Sequence, residues 1–129
     1  MPAASALKIL LVEDQASMRG LIRYTFQQIN VRDITEAKNG IEALEALKIK
    51  KFDLVVSDWN MEGMDGLTLL KMLRRNPVTK TTAFIMATGQ ADRAKVKEAV
   101  DAGVNNYIVK PFNAATLKSK IEAVLGKLT

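Results

Sequence analysis

The sequence predicts a three-layer α/β sandwich in which five parallel strands are covered by five helices. Short apolar runs of strand length alternate with longer segments that carry apolar residues at every third or fourth position. This strict alternation implies right-handed crossovers between parallel strands, with helices on both faces of the sheet. The length of 129 residues, 48% of them hydrophobic, fits one domain with a sizeable core.

The five strand candidates are too short for typical helices, and most of them are apolar and rich in β-branched residues. Leu7–Val12 is followed directly by two acids, and Asp33–Ala37 alternates in polarity like an edge strand. Phe52–Asp58 has the clearest strand core and ends on an acid. Thr82–Thr88 and Tyr107–Val109 complete the predicted sheet.

An amphipathic stripe follows each strand and predicts a helix there. The stripes are Met18, Leu21, Ile22, Thr25, Phe26 and Ile29; Ala43, Leu44 and Leu47; Leu67, Leu70 and Leu73; Val96, Ala99 and Val100; and Leu117, Ile121, Val124, Leu125 and Leu128. Asn30 is expected to end the first helix, and Asp65 to cap the third. Pro77 stops the third helix, and Gly103 is the expected C-cap of the fourth.

The composition excludes several classes of function. The chain has no His and no Cys, so disulfides, zinc sites built on these residues and catalysis by a histidine base are all excluded. The net charge is +5, but the basic residues are scattered in twos and threes, so no nucleic-acid partner is expected. The apolar run Ile9–Val12 is far shorter than the 18 or so residues of a membrane span, and no signal peptide precedes it. We expect a cytoplasmic protein without membrane contact.

The predicted strand ends carry the chemistry. They deliver Glu13 and Asp14, then Asp58, then Thr88, then Lys110. Because the carboxyl ends of parallel strands share one edge of a sheet, these side chains should lie together. Carboxylates that lie a few Å apart repel one another, and a bound cation relieves that repulsion. Oxygen ligands without nitrogen or sulfur suit Mg²⁺, so the sequence predicts a magnesium site at this edge.

Several segments match one known family over most of the chain. Besides the residues at the strand ends, the matching segments are Ser57-Asp58-Trp59-Asn60-Met61, Met64-Asp65-Gly66, Val109-Lys110-Pro111-Phe112 and Ala114-Ala115-Thr116-Leu117. Residues 7–129 therefore resemble the receiver domain of two-component response regulators, above all its stand-alone chemotaxis members, and residues 1–6 are an expected N-terminal extension. The resemblance implies a flavodoxin-like sheet of strand order 2-1-3-4-5.

The resemblance also implies a role for each site residue. Asp58 would accept a phosphoryl group from a phosphohistidine on a partner kinase, which forms an acyl phosphate. Mg²⁺ would be bound by Asp14, by Asp58 and by the backbone carbonyl of Asn60, with Glu13 acting through a water molecule. The metal and Lys110 would neutralise charge on the transferring oxygens.

The resemblance also implies a group of switch residues, which respond to phosphorylation and form the surface that binds the target. Thr88 would bond the phosphoryl group, and Tyr107 would turn inward behind it. The output face would be formed by the fourth helix, the fifth strand and the fifth helix, with Tyr107, Val109 and Lys120 on it. The Lys110–Pro111 peptide bond is expected to be cis.

The lifetime of the acyl phosphate is expected to depend on Asn60 and on Gln90, because such positions line the approach of water to the phosphoryl group.

No output domain is expected after the last helix, so signalling must occur by docking of a monomer. Two hypotheses remain open for the output. The chain is either a diffusible chemotaxis switch that binds a flagellar motor switch protein, or a phosphorelay intermediate or phosphate sink that acts only on kinases. In both, the phosphodonor is a sensor histidine kinase, CheA-like in the first.

Two other classes use a similar set of residues. A haloacid-dehalogenase-type phosphatase needs a second Asp two residues after the nucleophile, and Asn60 stands there. An FMN-binding module would place its phosphate after the first strand, where Glu13 and Asp14 would repel it, and the chain has no glycine-rich phosphate loop. Both alternatives are therefore weaker than the receiver hypothesis.

Overall fold

Strands and helices alternate along the whole computed structural model, which describes residues 2–89 and 93–129. The strands are β1 Lys8–Val12, β2 Asp33–Ala37, β3 Leu54–Asp58, β4 Ala83–Thr88 and β5 Asn106–Val109. The helices are α1 Ala16–Gln28, α2 Gly40–Ile49, α3 Gly66–Arg75, α4 Arg93–Asp101 and α5 Ala114–Leu125. Across the described ranges, none of these helices has both the length and the apolar character that crossing a bilayer requires.

The strands of the described residues form one sheet, in the order β2-β1-β3-β4-β5. Each neighbouring pair is parallel. The predicted fold class and strand order are therefore confirmed. Because every strand points the same way, the loops that follow the strands gather along one edge of the sheet, which is where open α/β sheets bind their ligands.

Alternating side chains of the central strands build a core on each face of the sheet. On β1, Ile9 and Leu11 face α1 and α5, whereas Leu10 and Val12 face α2, α3 and α4, and all four are at most 1% exposed. The largest other members of the first core include Phe26, Ile85, Ile108, Leu117 and Ile121. Those of the second include Leu69, Leu70, Leu73, Phe84 and Met86. Burial on both faces makes the sheet a rigid support for its loops.

The ends of α3 and α4 follow the predicted capping chemistry. The Asp65 side chain accepts a hydrogen bond from the Thr68 backbone N–H, with the oxygen 2.8 Å from the nitrogen. Gly103 follows α4 with φ of 95°, a left-handed conformation in which glycine is favoured. Both predicted caps are confirmed.

The predicted stripes of three helices were too wide or too long. Leu21 and Val100 are 52% and 59% exposed. Each directly neighbours a buried residue on its helix and is turned about 100° away from it, which puts it on the solvent side. Leu128 lies beyond the end of α5, because Gly126 adopts φ of 91° and stops the helix.

The residues before β1 pack against the end of the chain. Ala4 is 3% exposed and belongs to the core on the α1 and α5 side. Its backbone N–H donates to the carbonyl of Thr129 at 3.1 Å, and the Thr129 N–H donates to the carbonyl of Pro2 at 3.0 Å. The two termini are therefore tied together, and they lie at the end of the sheet opposite the loops that follow the strands.

Candidate functional site

The strand register places three chemically different side chains at one level of the sheet edge. Asp58, the last residue of β3, pairs with Ala87, so Thr88 lies one position further along β4. Thr88 pairs in turn with Val109, and Lys110 follows directly after β5. The Lys110 backbone N–H donates to the Thr88 carbonyl at 2.7 Å, which fixes the exit of β5 against β4.

The loop after β1 adds two acids at the same level. Val12 pairs with Ser57, so Glu13 lies beside the end of β3. The Glu13 backbone N–H donates to the Ala37 carbonyl at 3.0 Å, which continues the β1–β2 ladder by one residue. Asp14 follows and is exposed, whereas Glu13 is only 1% exposed. The predicted meeting of strand ends thus occurs in the structure.

One ammonium group bridges two of the three carboxylates. Lys110 Nζ lies 2.9 Å from Asp58 Oδ1 and 3.1 Å from Glu13 Oε1. Carboxylate oxygens of Glu13, Asp14 and Asp58 all lie within 4.8 Å of one another. Asp58 is 7% exposed, so this cluster is only partly screened by solvent. When all three acids are ionised, one cation faces three anions and the site keeps a negative charge.

The pKa values of two groups reflect this crowding. Burial raises the pKa of the Glu13 carboxyl, and the nearby Asp14 and Asp58 carboxyls raise it further, although hydrogen bonds from the Gln15 N–H and from Lys110 oppose the shift. Burial alone would lower the pKa of Lys110, but its hydrogen bonds to Asp58 and Glu13 and their charges raise it above the ordinary lysine value. The ammonium therefore stays charged at neutral pH.

The three acids fit a hard divalent cation. All of the converging ligand atoms are carboxylate oxygens, and no His or Cys in the chain could compete for a softer metal. A bound dication would offset the negative charge that Lys110 leaves uncompensated. Glu13, Asp14 and Asp58 are therefore the residues that would hold Mg²⁺.

The structure treats the other predicted site residues differently. Thr88 is buried at the end of β4, 4% exposed. Asn60 lies two residues after Asp58 and is exposed. Metal binding by its backbone carbonyl stays a prediction. Gln90, predicted to tune the acyl-phosphate lifetime, lies outside the described residues.

The predicted switch residues other than Thr88, which ends β4, lie on β5 and α5. Tyr107 is partly buried, and the Lys120 ammonium lies 4.9 Å from the centroid of its ring, a cation–π distance. Val109 is 43% exposed, which is high for an apolar residue on a strand. The Lys110–Pro111 peptide bond is cis. The predicted output face therefore includes β5, the strand that Lys110 directly follows.

Gly66, for which the sequence alone predicts no role at the site, packs closely against the end of β3. The Gly66 backbone N–H donates to the Trp59 carbonyl at 2.8 Å, which closes the loop after β3. A Cβ atom at Gly66 would lie 2.3 Å from the Asp58 carbonyl oxygen and 2.8 Å from Met86 Sδ. The sequence signals at Gly66 are its place after the helix cap Asp65 and its membership of the matching segment Met64-Asp65-Gly66. Neither predicts the close approach, which depends on how α3 packs onto the sheet.

Gly66→Ala is expected to lower the free energy of unfolding by about 1–3 kcal/mol, the usual cost of overpacking a core. It should also weaken Mg²⁺ binding, because the backbone of Asp58 must shift. Gly20→Ala is the matched control, since a Cβ there meets nothing within 4 Å and Gly20 lies inside α1. The control should stabilise the protein by about 0.5–1 kcal/mol. Equal stabilities for the two variants in urea unfolding would contradict the packing argument.

Comparison with known proteins identifies relatives of the whole chain. Residues 9–122 match the model of the response regulator receiver domain. Chemotaxis protein CheY-3 of Vibrio cholerae serotype O1 is 43% identical over 122 residues, which cover 95% of this chain and 94% of the relative. A protein of Rhizobium etli described as a probable chemotaxis protein CheY is 41% identical over 128 residues, 99% of each chain.

A solved structure agrees with the fold. The chemotaxis protein CheY4 of Vibrio cholerae superposes with a TM-score of 0.86 at 32% identity, covering 97% of this chain and 100% of that one. The sequence resemblance to receiver domains is therefore confirmed, including the similarity to chemotaxis members.

Proposed function

The chain belongs to the response regulator receiver domain family, and on this premise we propose that it accepts a phosphoryl group on Asp58 in a Mg²⁺-dependent reaction and signals by docking. It is a signalling phosphoacceptor of the CheY type. In this proposal it acts as a monomer in the cytoplasm, receives its phosphoryl group from a CheA-like sensor histidine kinase, and catalyses only its own phosphorylation and dephosphorylation.

One observation carries the proposal. Asp58 lies 2.9 Å from Lys110 and shares the carboxylate cluster with Glu13 and Asp14. Glu13 has both of these features as well, but only Asp58 ends the strand that lies directly beside the end of β4, where Thr88 follows its partner Ala87. A phosphoryl group on the Asp58 side chain would therefore lie next to an ammonium group and next to the carboxylates suited to a dication. These are the charges that stabilise phosphoryl transfer.

The chemistry follows from the residues. A carboxylate oxygen of Asp58 attacks phosphorus, the bond from phosphorus to the donor histidine nitrogen breaks, and the histidine keeps the electron pair. Mg²⁺, when bound, neutralises oxygens of the transferring group. Lys110 stays protonated throughout, and its hydrogen bond passes from Asp58 to the phosphoryl oxygens. Thr88, which follows the strand partner of Asp58, is proposed to bond the same group, and Glu13 would hold the metal through water.

The docking step is proposed for the face that carries Tyr107, Val109 and Lys120. Val109 offers exposed apolar area there, and Lys120 offers a positive charge beside a tyrosine ring. Phosphorylation can favour a docking-competent state only through contacts that are better in that state, and Thr88 and Lys110 are the groups that connect the site to β5. The relatives named as chemotaxis proteins favour a flagellar motor switch protein as the target.

A pull-down tests the output. Immobilised wild type and Asp58→Ala are incubated with a lysate of the source organism, each with and without acetyl phosphate and Mg²⁺. We expect the motor switch protein to be retained only by wild type treated with the phosphodonor. Retention of kinases or phosphotransfer proteins alone, under every condition, would support the phosphorelay or phosphate-sink function instead. We also propose that Asn60 influences the lifetime of the acyl phosphate; Gln90, the other residue predicted to do so, lies outside the described residues.

A further inference from the structure

An arginine at the start of α1 holds the backbone of the acidic loop. Arg19 Nη1 donates to the Glu13 carbonyl oxygen at 2.9 Å and to the Asp14 carbonyl oxygen at 3.3 Å. Its side chain is only 13% exposed. The guanidinium thus contacts both residues of the acid pair through their main chain, not through their carboxylates.

The guanidinium is itself anchored on β2. Arg19 Nε lies 3.3 Å from Glu36 Oε1, and the other oxygen of Glu36 pairs with Arg23. Glu36 is in position because β1 and β2 are in register, with Leu11 opposite Glu36. Three elements, α1, β2 and the loop after β1, therefore meet at one arginine.

The acidic loop needs such a restraint. Glu13 and Asp14 bring like charges within 4.8 Å of Asp58, so repulsion tends to push the loop away from β3. Hydrogen bonds from a charged donor to two successive carbonyls oppose that movement. We propose that Arg19 is a positioning residue for the Mg²⁺ site, which keeps Glu13 and Asp14 where their carboxylates converge with Asp58. This inference rests on the proposed Mg²⁺-dependent function.

A purely electrostatic role and a positioning role of Arg19 predict opposite changes in Mg²⁺ affinity when its side chain is removed. If Arg19 acted only as a nearby positive charge, its removal would tighten Mg²⁺ binding, because a cation would leave the vicinity of the metal. If it positions the loop, its removal weakens binding by about tenfold, the lower end of the range for residues that orient metal ligands. The sign of the change therefore distinguishes the two roles.

The experiment measures Mg²⁺ affinity by isothermal titration calorimetry for wild type, Arg19→Ala, Arg19→Lys and Arg23→Ala. Arg23 is the matched control, because it pairs with the same Glu36 but has no hydrogen bond to either loop carbonyl. We expect weaker binding in Arg19→Ala and unchanged or slightly tighter binding in Arg23→Ala. Arg19→Lys keeps the charge but cannot span two carbonyls and a carboxylate, so it should be weaker than wild type as well.

A second readout separates positioning from a general loss of stability. With saturating Mg²⁺, the rate of labelling by acetyl phosphate should return close to the wild-type rate in Arg19→Ala, since the intact carboxylates can still bind the ion. Unchanged or tighter Mg²⁺ binding in both Arg19 variants would overturn the inference, as would equal weakening in Arg23→Ala. If wild type itself bound no Mg²⁺, the proposed function would fail first. Arg19→Lys keeps the test decisive should Arg19→Ala not fold.

Discussion

Replacing Asp58 by asparagine is expected to abolish labelling of the protein by acetyl phosphate. The amide has nearly the shape of the carboxylate but is not a nucleophile, so it can form no acyl phosphate. Loss of a nucleophile lowers rates in enzymes by a factor of about 10⁴ or more. With Mg²⁺ and acetyl phosphate, intact mass spectrometry should show one added phosphoryl group on wild type and none on Asp58→Asn.

The fold should tolerate this change, because two opposing electrostatic effects are similar in size. At an effective dielectric constant of 20, losing the attraction to Lys110 at 2.9 Å costs roughly 6 kcal/mol, and losing the repulsion from Glu13 and Asp14 at up to 4.8 Å returns roughly the same. The melting temperature of Asp58→Asn should therefore stay near that of wild type. A missing label cannot then be attributed to unfolding.

Asp53→Asn provides the matched control. Asp53 lies just before the other end of β3, where its Oδ2 accepts the Lys8 backbone N–H at 2.8 Å, far from Lys110 and the acid cluster. This variant should gain one phosphoryl group as wild type does. Full labelling of Asp58→Asn, or loss of labelling in Asp53→Asn, would show that the phosphoacceptor has been assigned to the wrong acid.

The sequence was sufficient for the elements of the site that depend on strand ends. Glu13, Asp58, Thr88 and Lys110 each follow or end a short apolar run, and parallel strands necessarily bring such positions to one edge. Their meeting was therefore predictable before any distance was known. The bridging of Glu13 and Asp58 by one ammonium group was not predictable, because it depends on the conformation of a long side chain.

Features that depend on packing between elements could not be predicted from the sequence. Arg19 reads as an ordinary polar residue on an amphipathic helix, and its role follows only from the β1–β2 register that brings Glu36 beside it. The closeness of Gly66 to Asp58 depends on how α3 lies on the sheet. Leu21 and Val100 were misplaced for a related reason, since an apolar residue at the border of a stripe can face either the core or solvent.

Lys110→Ala is expected to lower the free energy of unfolding in the absence of Mg²⁺ by about 3 kcal/mol, because removing one partner of a buried ion pair leaves uncompensated charge. In a domain of this size that corresponds to a fall of roughly 10 °C in melting temperature. Mg²⁺ should bind this variant more tightly than wild type, since the ammonium no longer competes for the oxygens of Asp58 and Glu13. Added Mg²⁺ should therefore raise its melting temperature more than that of wild type.

The same substitution should separate metal binding from signalling. The phosphoryl group on Asp58 would lose its ammonium contact, and with it the link to β5, so labelling by acetyl phosphate should slow and phosphorylation-dependent docking should disappear. Lys118→Ala is the control, because Lys118 is exposed on α5 and has no ion pair within the described residues. Thermal melts with EDTA and with Mg²⁺, together with calorimetric titration, measure the two effects. A Lys110→Ala protein with wild-type stability in EDTA and unchanged Mg²⁺ affinity would contradict the prediction.

The stability difference between wild type and Lys110→Ala should depend on pH in a defined direction. Contacts with Asp58 and Glu13 raise the pKa of Lys110, so the stabilisation due to its charge is fully present below the ordinary lysine pKa and is lost as pH rises through the raised value. On the acid side the pKa of Glu13 is raised, so in wild type this carboxyl takes up its proton at a higher pH than an ordinary glutamate. Once Glu13 is neutral, the ammonium compensates one charge fewer. Melting temperatures in EDTA should therefore differ most near neutral pH and converge as the pH falls. A difference that stayed constant on acidification would mean that Lys110 stabilises the fold by packing and not by pairing with the acids.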